Sequence, residues 1–159
     1  MAIVFPNNTI SEVSSSFITY PGNIVQMVES RITATVTCNN WATPNNLGTL
    51  TITPTSASNR ILLYINMNMR QDTTQGSWSL CYLDLHNATR GQLIISGWEG
   101  TWRHTIYSYR KQYLDTPNST SPQTYTLRGY NYPSGAVAYF NTATSSDGFC
   151  YIRATEIAA

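Results

Sequence analysis

Residues 60–69 read RILLYINMNM, with Leu63, Ile65, Met67 and Met69 on one side of a period-two repeat and Asn66 and Asn68 on the other. Successive side chains of an extended chain point to opposite faces, so this is the pattern of a strand covering a core on one side. Runs of this kind recur about every 10 to 15 residues between clusters of Gly, Pro, Asn and Ser, and no window holds a 3.6-residue apolar stripe. The pattern predicts strands over 23–29, 31–38, 48–53, 60–69, 77–85, 92–96, 101–109, 124–130, 136–141 and 149–157. Within 31–38, RITATVTC, it places Ile32, Ala34, Val36 and Cys38 inward and Thr33, Thr35 and Thr37 outward. One open sheet of so many strands would leave an apolar face and two edges bare. The expected fold is therefore all-β: an antiparallel β-sandwich, jelly-roll-like, with an extended N-terminal arm.

At 159 residues the chain suits one domain, expected over 22–159, preceded by an arm over 1–21. The arm consists of an apolar patch (AIVF), a turn (PNNT) and a polar tract (SEVSSSF). Alone it buries too little to offset roughly 1–2 kcal/mol of backbone entropy per residue, so it needs a partner surface. Ile3, Val4, Phe5 and Ile10 are its candidate anchors. The start lacks the charged and apolar regions of a secretory leader, and no apolar run is long enough to span a bilayer. The expectation is a soluble, cytosolically made chain with no membrane partner.

Charge narrows the function classes. Only 11% of residues are charged and the net charge is +1, while Asn, Ser and Thr supply about a third of the chain. Such a neutral, hydroxyl-rich surface suits packed assemblies. Eight arginines spread from Arg31 to Arg153, among compensating acids, do not form a basic footprint in the sequence, so nucleic acid is not an expected partner. Cys38, Cys81 and Cys150 lie far apart in alternating runs and read as small buried thiols. Two histidines, His86 and His104, and eight acids are a thin supply for acid–base chemistry, and no nucleophile, zinc, phosphate-loop or calcium-loop motif occurs. No enzyme activity, cofactor or metal is expected. In YLDTPNSTSPQTYTLRGY, 113–130, Asp115 is expected to cap an Asx-type turn at a corner between two sheets.

The best binding candidate is GWEGTWRH, 97–104, where Trp98 and Trp102 beside Glu99 and Arg103 combine flat faces with bidentate hydrogen bonding. That combination grips a sugar ring or a partner protein. Tryptophans in β-sandwiches more often belong to a core or subunit interface, so Trp98, Trp102, Tyr107 and Tyr109 are expected as interface residues, with a ligand role as the alternative.

GNIVQMV at 22–28, LGTLTITPTSASNRILLYI at 47–65, YLDTPNSTSPQTYTL at 113–127 and the final ATEIAA resemble, in that order, a β-sandwich module of bacteriophage tail-fibre and head-surface proteins, notably of cyanophages. The middle differs: such modules tend to carry an Arg and a Gly-Thr turn where this chain has LDLHNATRGQ. The resemblance implies a virion component without catalysis, acting as a homotrimer. Its expected partner is the major capsid protein or a tail protein of the same particle. Only some 20 residues lie outside the module, which favours a capsid decoration or cement protein. The alternative is a tail-fibre or head-fibre tip that binds a host-surface receptor or glycan.

Overall fold

Every expected strand has a counterpart, but the chain joins them with one break that the alternating pattern conceals. The computed structural model describes residues 22–40, 42–72, 79–101, 106–132, 137–141 and 150–159. The strands are β1 (Ile24–Ile32), β2 (Val36–Cys38), β3 (Asn45–Ile52), β4 (Arg60–Asp72), β5 (Ser79–Asn87), β6 (Gly91–Thr101), β7 (Ile106–Asp115), β8 (Gln123–Tyr132), β9 (Val137–Phe140) and β10 (Cys150–Ile157). Residues 1–21, the expected arm with Ile3, Val4, Phe5 and Ile10, lie outside the described residues.

All pairings are antiparallel. One sheet runs β1-β10-β4 with β7 on the far side of β4, and β9 and β2 continue it; the second runs β3-β8-β5-β6. β10 pairs with residues 60–66 of β4, and β9 with residues 69–72 of the same strand. β1 pairs with β10, and β2 with β9. Thus β1 and β2 form one interrupted rank and β10 and β9 another, which leaves two four-ranked sheets. First rank pairs with last, β3 with β8, β4 with β7 and β5 with β6. This nesting of outer around inner pairs is a jelly-roll winding.

The interruption corrects the expectation of a single strand over 31–38. Ala34 is exposed and residues 33–35 leave the ladder. The cause is Asn141, which ends β9 in the left-handed region (φ 58°). Its amide donates to the carbonyls of Ile32 (2.8 Å) and Ala34 (3.2 Å), and its backbone N–H donates to the Asn68 carbonyl (2.7 Å). Thr35 Oγ1 returns a bond to the Asn141 carbonyl at 2.8 Å. A side-chain amide thus replaces ladder partners where the neighbouring rank passes from β9 to β10. The strand expected over 101–109 also divides differently: β6 runs on to Thr101, and β7 begins at Ile106.

Alternation places the core between the sheets. Ile61, Leu63, Ile65, Met67 and Met69 of β4 are all buried, facing Leu83 and Leu85 of β5, Tyr125 and Leu127 of β8, and Leu50 and Ile52 of β3. Small residues on the second sheet make room for large ones on the first. A Cβ on Gly129 would lie 2.7 Å from Phe140 Cε2, and one on Gly48 would lie 2.8 Å from Ile32 Cγ1. Cys38, Cys81 and Cys150 are buried, as their positions in alternating runs predict. Burial pushes the Cys38 thiol up to about 11.

Candidate interaction faces and the polar clamps behind them

A sandwich offers two outer faces and two rims as working surface. One rim is held by two buried acids. Asp115 ends β7 in the first sheet, and β8 in the second begins at Gln123, so YLDTPNSTSPQTYTLRGY does turn the corner between sheets. The described partners of the Asp115 carboxylate are side chains distant in sequence rather than the N–H groups of an Asx-type turn. The carboxylate, 2% exposed, accepts a forked pair of bonds from Arg90 and another from the Tyr125 hydroxyl. Arg90 sits in the β5–β6 turn, which Asn87 shapes by accepting from the N–H groups of Thr89 (3.0 Å) and Arg90 (3.1 Å). Gly91 (φ +80°) completes this turn, and the Ala88 N–H ties it to the Thr124 carbonyl of β8 at 3.0 Å. The ion pair therefore links β7 to the opposite sheet. Asp115 raises the Arg90 pKa, and burial followed by the bond to Asp115 raises that of Tyr125.

Glu156, across Ile61 in the same row as Asp115, is fully buried, with no cation among its described partners. It accepts from Gln26 Nε2 (2.6 Å), Asn59 Nδ2 (2.7 Å), the Thr55 N–H (2.7 Å) and Thr55 Oγ1 (2.8 Å). Burial pushes its pKa up, but the bonds from Asn59, Gln26 and Thr55 outweigh burial and hold it below the ordinary value of 4.5. Both acids are structural: four neutral donors or an arginine fork saturate a carboxylate and leave nothing to activate a substrate.

The outer face of the second sheet is a hydroxyl ladder, Thr51–Thr124 (2.9 Å) and Thr49–Thr126 (3.2 Å), beside a charged cluster. Asp84, fully buried on the outward side of β5, accepts from Arg128 Nε (2.9 Å) and the Tyr130 hydroxyl (2.9 Å) through Oδ2. On the outer face of the first sheet Tyr64 and Tyr151 stack with centroids 5.7 Å apart. Arg153 lies over Tyr151 at 4.9 Å and donates to Glu29 at 2.6 and 3.0 Å. The Arg153 bonds lower the Glu29 pKa.

The residues singled out in the sequence fall elsewhere. Trp98 belongs to β6 by its backbone, but its side chain lies outside the described ones, and Trp102 and His104 lie wholly outside. Tyr107 is in β7 opposite Met69, its side chain likewise outside the described ones. Tyr109, opposite Met67, is half-buried against the core. His86 is a half-buried strand residue between Gln92 and Thr126. Among the described residues no three His, Cys, Asp or Glu side chains gather to hold a metal. Sequence reasoning missed the Tyr64–Tyr151–Arg153–Glu29 cluster, because its members are brought together only by the β1-β10-β4 order.

No family model matches the chain, and no curated protein does. Solved structures do share its fold. The chain is similar over its full length to a chain in the structure of infectious bursal disease virus, Gx strain, with 11% identity and a TM-score of 0.50. It is similar to the Gt strain of that virus at 12% identity and 0.48, and to the VP2 subviral particle of infectious bursal disease virus at 11% and 0.49. It spans 42% of each of these longer chains. At such identities the likeness is one of fold: this chain folds as a β-sandwich like a domain of that virus's structure.

Proposed function

We propose that the protein is a structural component of a phage particle: a homotrimeric decoration or cement protein that packs over junctions between coat subunits of the head and braces them. The observation that carries this reading is the jelly-roll winding of the described strands, a form suited to tiling against other subunits through broad faces rather than enclosing a substrate. A fold in common with a virus structure, and the four segments similar to phage head-surface modules, support it. Two saturated carboxylates at one rim agree with a rigid, non-catalytic block. In this reading residues 1–21 anchor the trimer through Ile3, Val4, Phe5 and Ile10, and Trp98, Trp102, Tyr107 and Tyr109 lie toward the contact between subunits.

Co-sedimentation with empty coat-protein shells tests it. The full chain pellets with shells as a trimer, and a chain lacking residues 1–20 stays folded but loses most of that binding. A full chain that remains in the supernatant, or a truncated one that binds undiminished, overturns the reading. Saturable glycan binding lost in Trp98→Ala, without shell binding, makes the protein a receptor-binding fibre tip instead.

A further inference from the structure

The charge dispersed along the sequence is not dispersed in the fold. Register places Arg31, Tyr151, Asn66 and Arg110 in one row across the outer face of the first sheet, and Glu29, Arg153, Tyr64 and Gln112 in the next. Arg60 and Arg70 occupy the same side of β4, with Arg70 over the Tyr139 ring at 4.8 Å. Five arginines thus share a face on which Glu29 is the one acid among the described side chains. The other acids described, Asp84, Asp115 and Glu156, are all buried. Among the described side chains, charge is therefore concentrated on one side, although the whole chain carries only +1.

The same face ends in an apolar row that runs from edge to edge of the sheet. Met27, Thr155, Leu62 and Leu114 form the third row, and Ile24 pairs with Ile157 beside it. Ile24 is 70% exposed, Met27 59% and Leu114 45%: three of the four large apolar side chains exposed among the described residues. Arg, Tyr and Met are the residues enriched where proteins dock, and scattered single exposures do not align in a row. At usual strand spacings the face measures roughly 15 by 20 Å, room for an extended segment or one lobe of a subunit.

We propose that this face docks a protein surface that presents carboxylates beside apolar side chains. A second copy meeting it with the same face would set five arginines against five. Among its described side chains the opposite sheet offers no complement, since the acid there, Asp84, is buried against Arg128. Nucleic acid would satisfy the arginines but leave Ile24, Met27 and Leu114 in water. Resting on the capsid reading above, the partner is an acidic, apolar patch of the coat subunit. The chain enters β1 at the Ile24 end of this face, where the Gly22 N–H bonds the Ala158 carbonyl at 2.8 Å.

Two arms test the surface and the capsid reading separately. In the first, a short peptide alternating Glu and Leu is titrated into the full chain at low and high salt. The expected result is saturable, salt-weakened binding, lost by about tenfold or more in Arg31→Glu/Arg110→Glu and weakened in Met27→Asp, with Thr51→Glu on the opposite face unchanged. Absent binding, or binding indifferent to the arginine reversals, overturns the proposal. So does tighter binding of a single-stranded oligonucleotide that ignores Met27→Asp. In the second arm the same variants are sedimented with coat shells. Loss in the face variants extends the proposal to the coat; shell binding lost in Thr51→Glu and kept in the face variants overturns it for the coat. Peptide binding by a wild-type chain that ignores shells sinks the capsid reading and leaves the surface standing.

Discussion

Glu156 shows how much a single side chain can be asked to hold. A buried carboxylate with no cation among its described partners survives because four donors from two segments point at it, and these segments and its own are ones that carry the resemblance: Gln26 in GNIVQMV, Thr55 and Asn59 in TPTSASN, Glu156 in ATEIAA. The residues were visible in the sequence, but their convergence was not, because spacings of 97 to 130 positions carry no local signal. The lowered pKa fixes the sign of a pH effect. Folding favours the ionised form, so this contribution is complete above the ordinary value of 4.5 and disappears as pH falls through the lower folded value. Glu156→Gln turns one acceptor into a donor facing donors and is expected to lose about 1–3 kcal/mol at neutral pH. Urea midpoints measured from pH 7 to 3 should fall less steeply on the acid side in the variant than in wild type. Parallel profiles would mean that Glu156 does not govern the acid limb.

Alternation sufficed to place the elements, since each exposed or half-buried strand must put apolar residues inward every second position. It could not place the joints. The break at 33–35 depends on Asn141, more than 100 residues away, and the corner after β7 depends on Arg90, which local turn chemistry at Asp115 could not reveal. That clamp joins β7 to the β5–β6 turn and to β8, so it should matter more than a turn cap. Asp115→Asn is expected to lose about 2–3 kcal/mol, below the usual 3–5 for a fully buried pair because Arg90 keeps 32% of its side chain exposed. Tyr125→Phe removes one hydroxyl bond and should lose about 1–2 kcal/mol. Chemical denaturation of both variants decides the matter: equal losses would reduce Asp115 to a local turn residue.

Every strand reaches the same core, and the three cysteines sample it from both sheets: Cys38 and Cys150 in the first, Cys81 in the second. A jelly roll nests its first rank against its last, so the first sheet cannot be completed before β1 meets β10. Such a winding is dominated by contacts distant in sequence and should open as one unit rather than strand by strand. Burial also raises the thiol pKa values of Cys38 and Cys150, which suppresses the reactive thiolate while the fold is closed. Pulsed alkylation across a urea series, read by mass spectrometry at each cysteine, should therefore give three coincident transitions that overlay the loss of β-structure. β2 and β9 are the short continuations of their ranks, joined to the rest through the β9–β4 ladder and Asn141. Labelling of Cys38 well before Cys81 and Cys150 would make that end a separate unit and confine the cooperative core to β1, β3–β8 and β10.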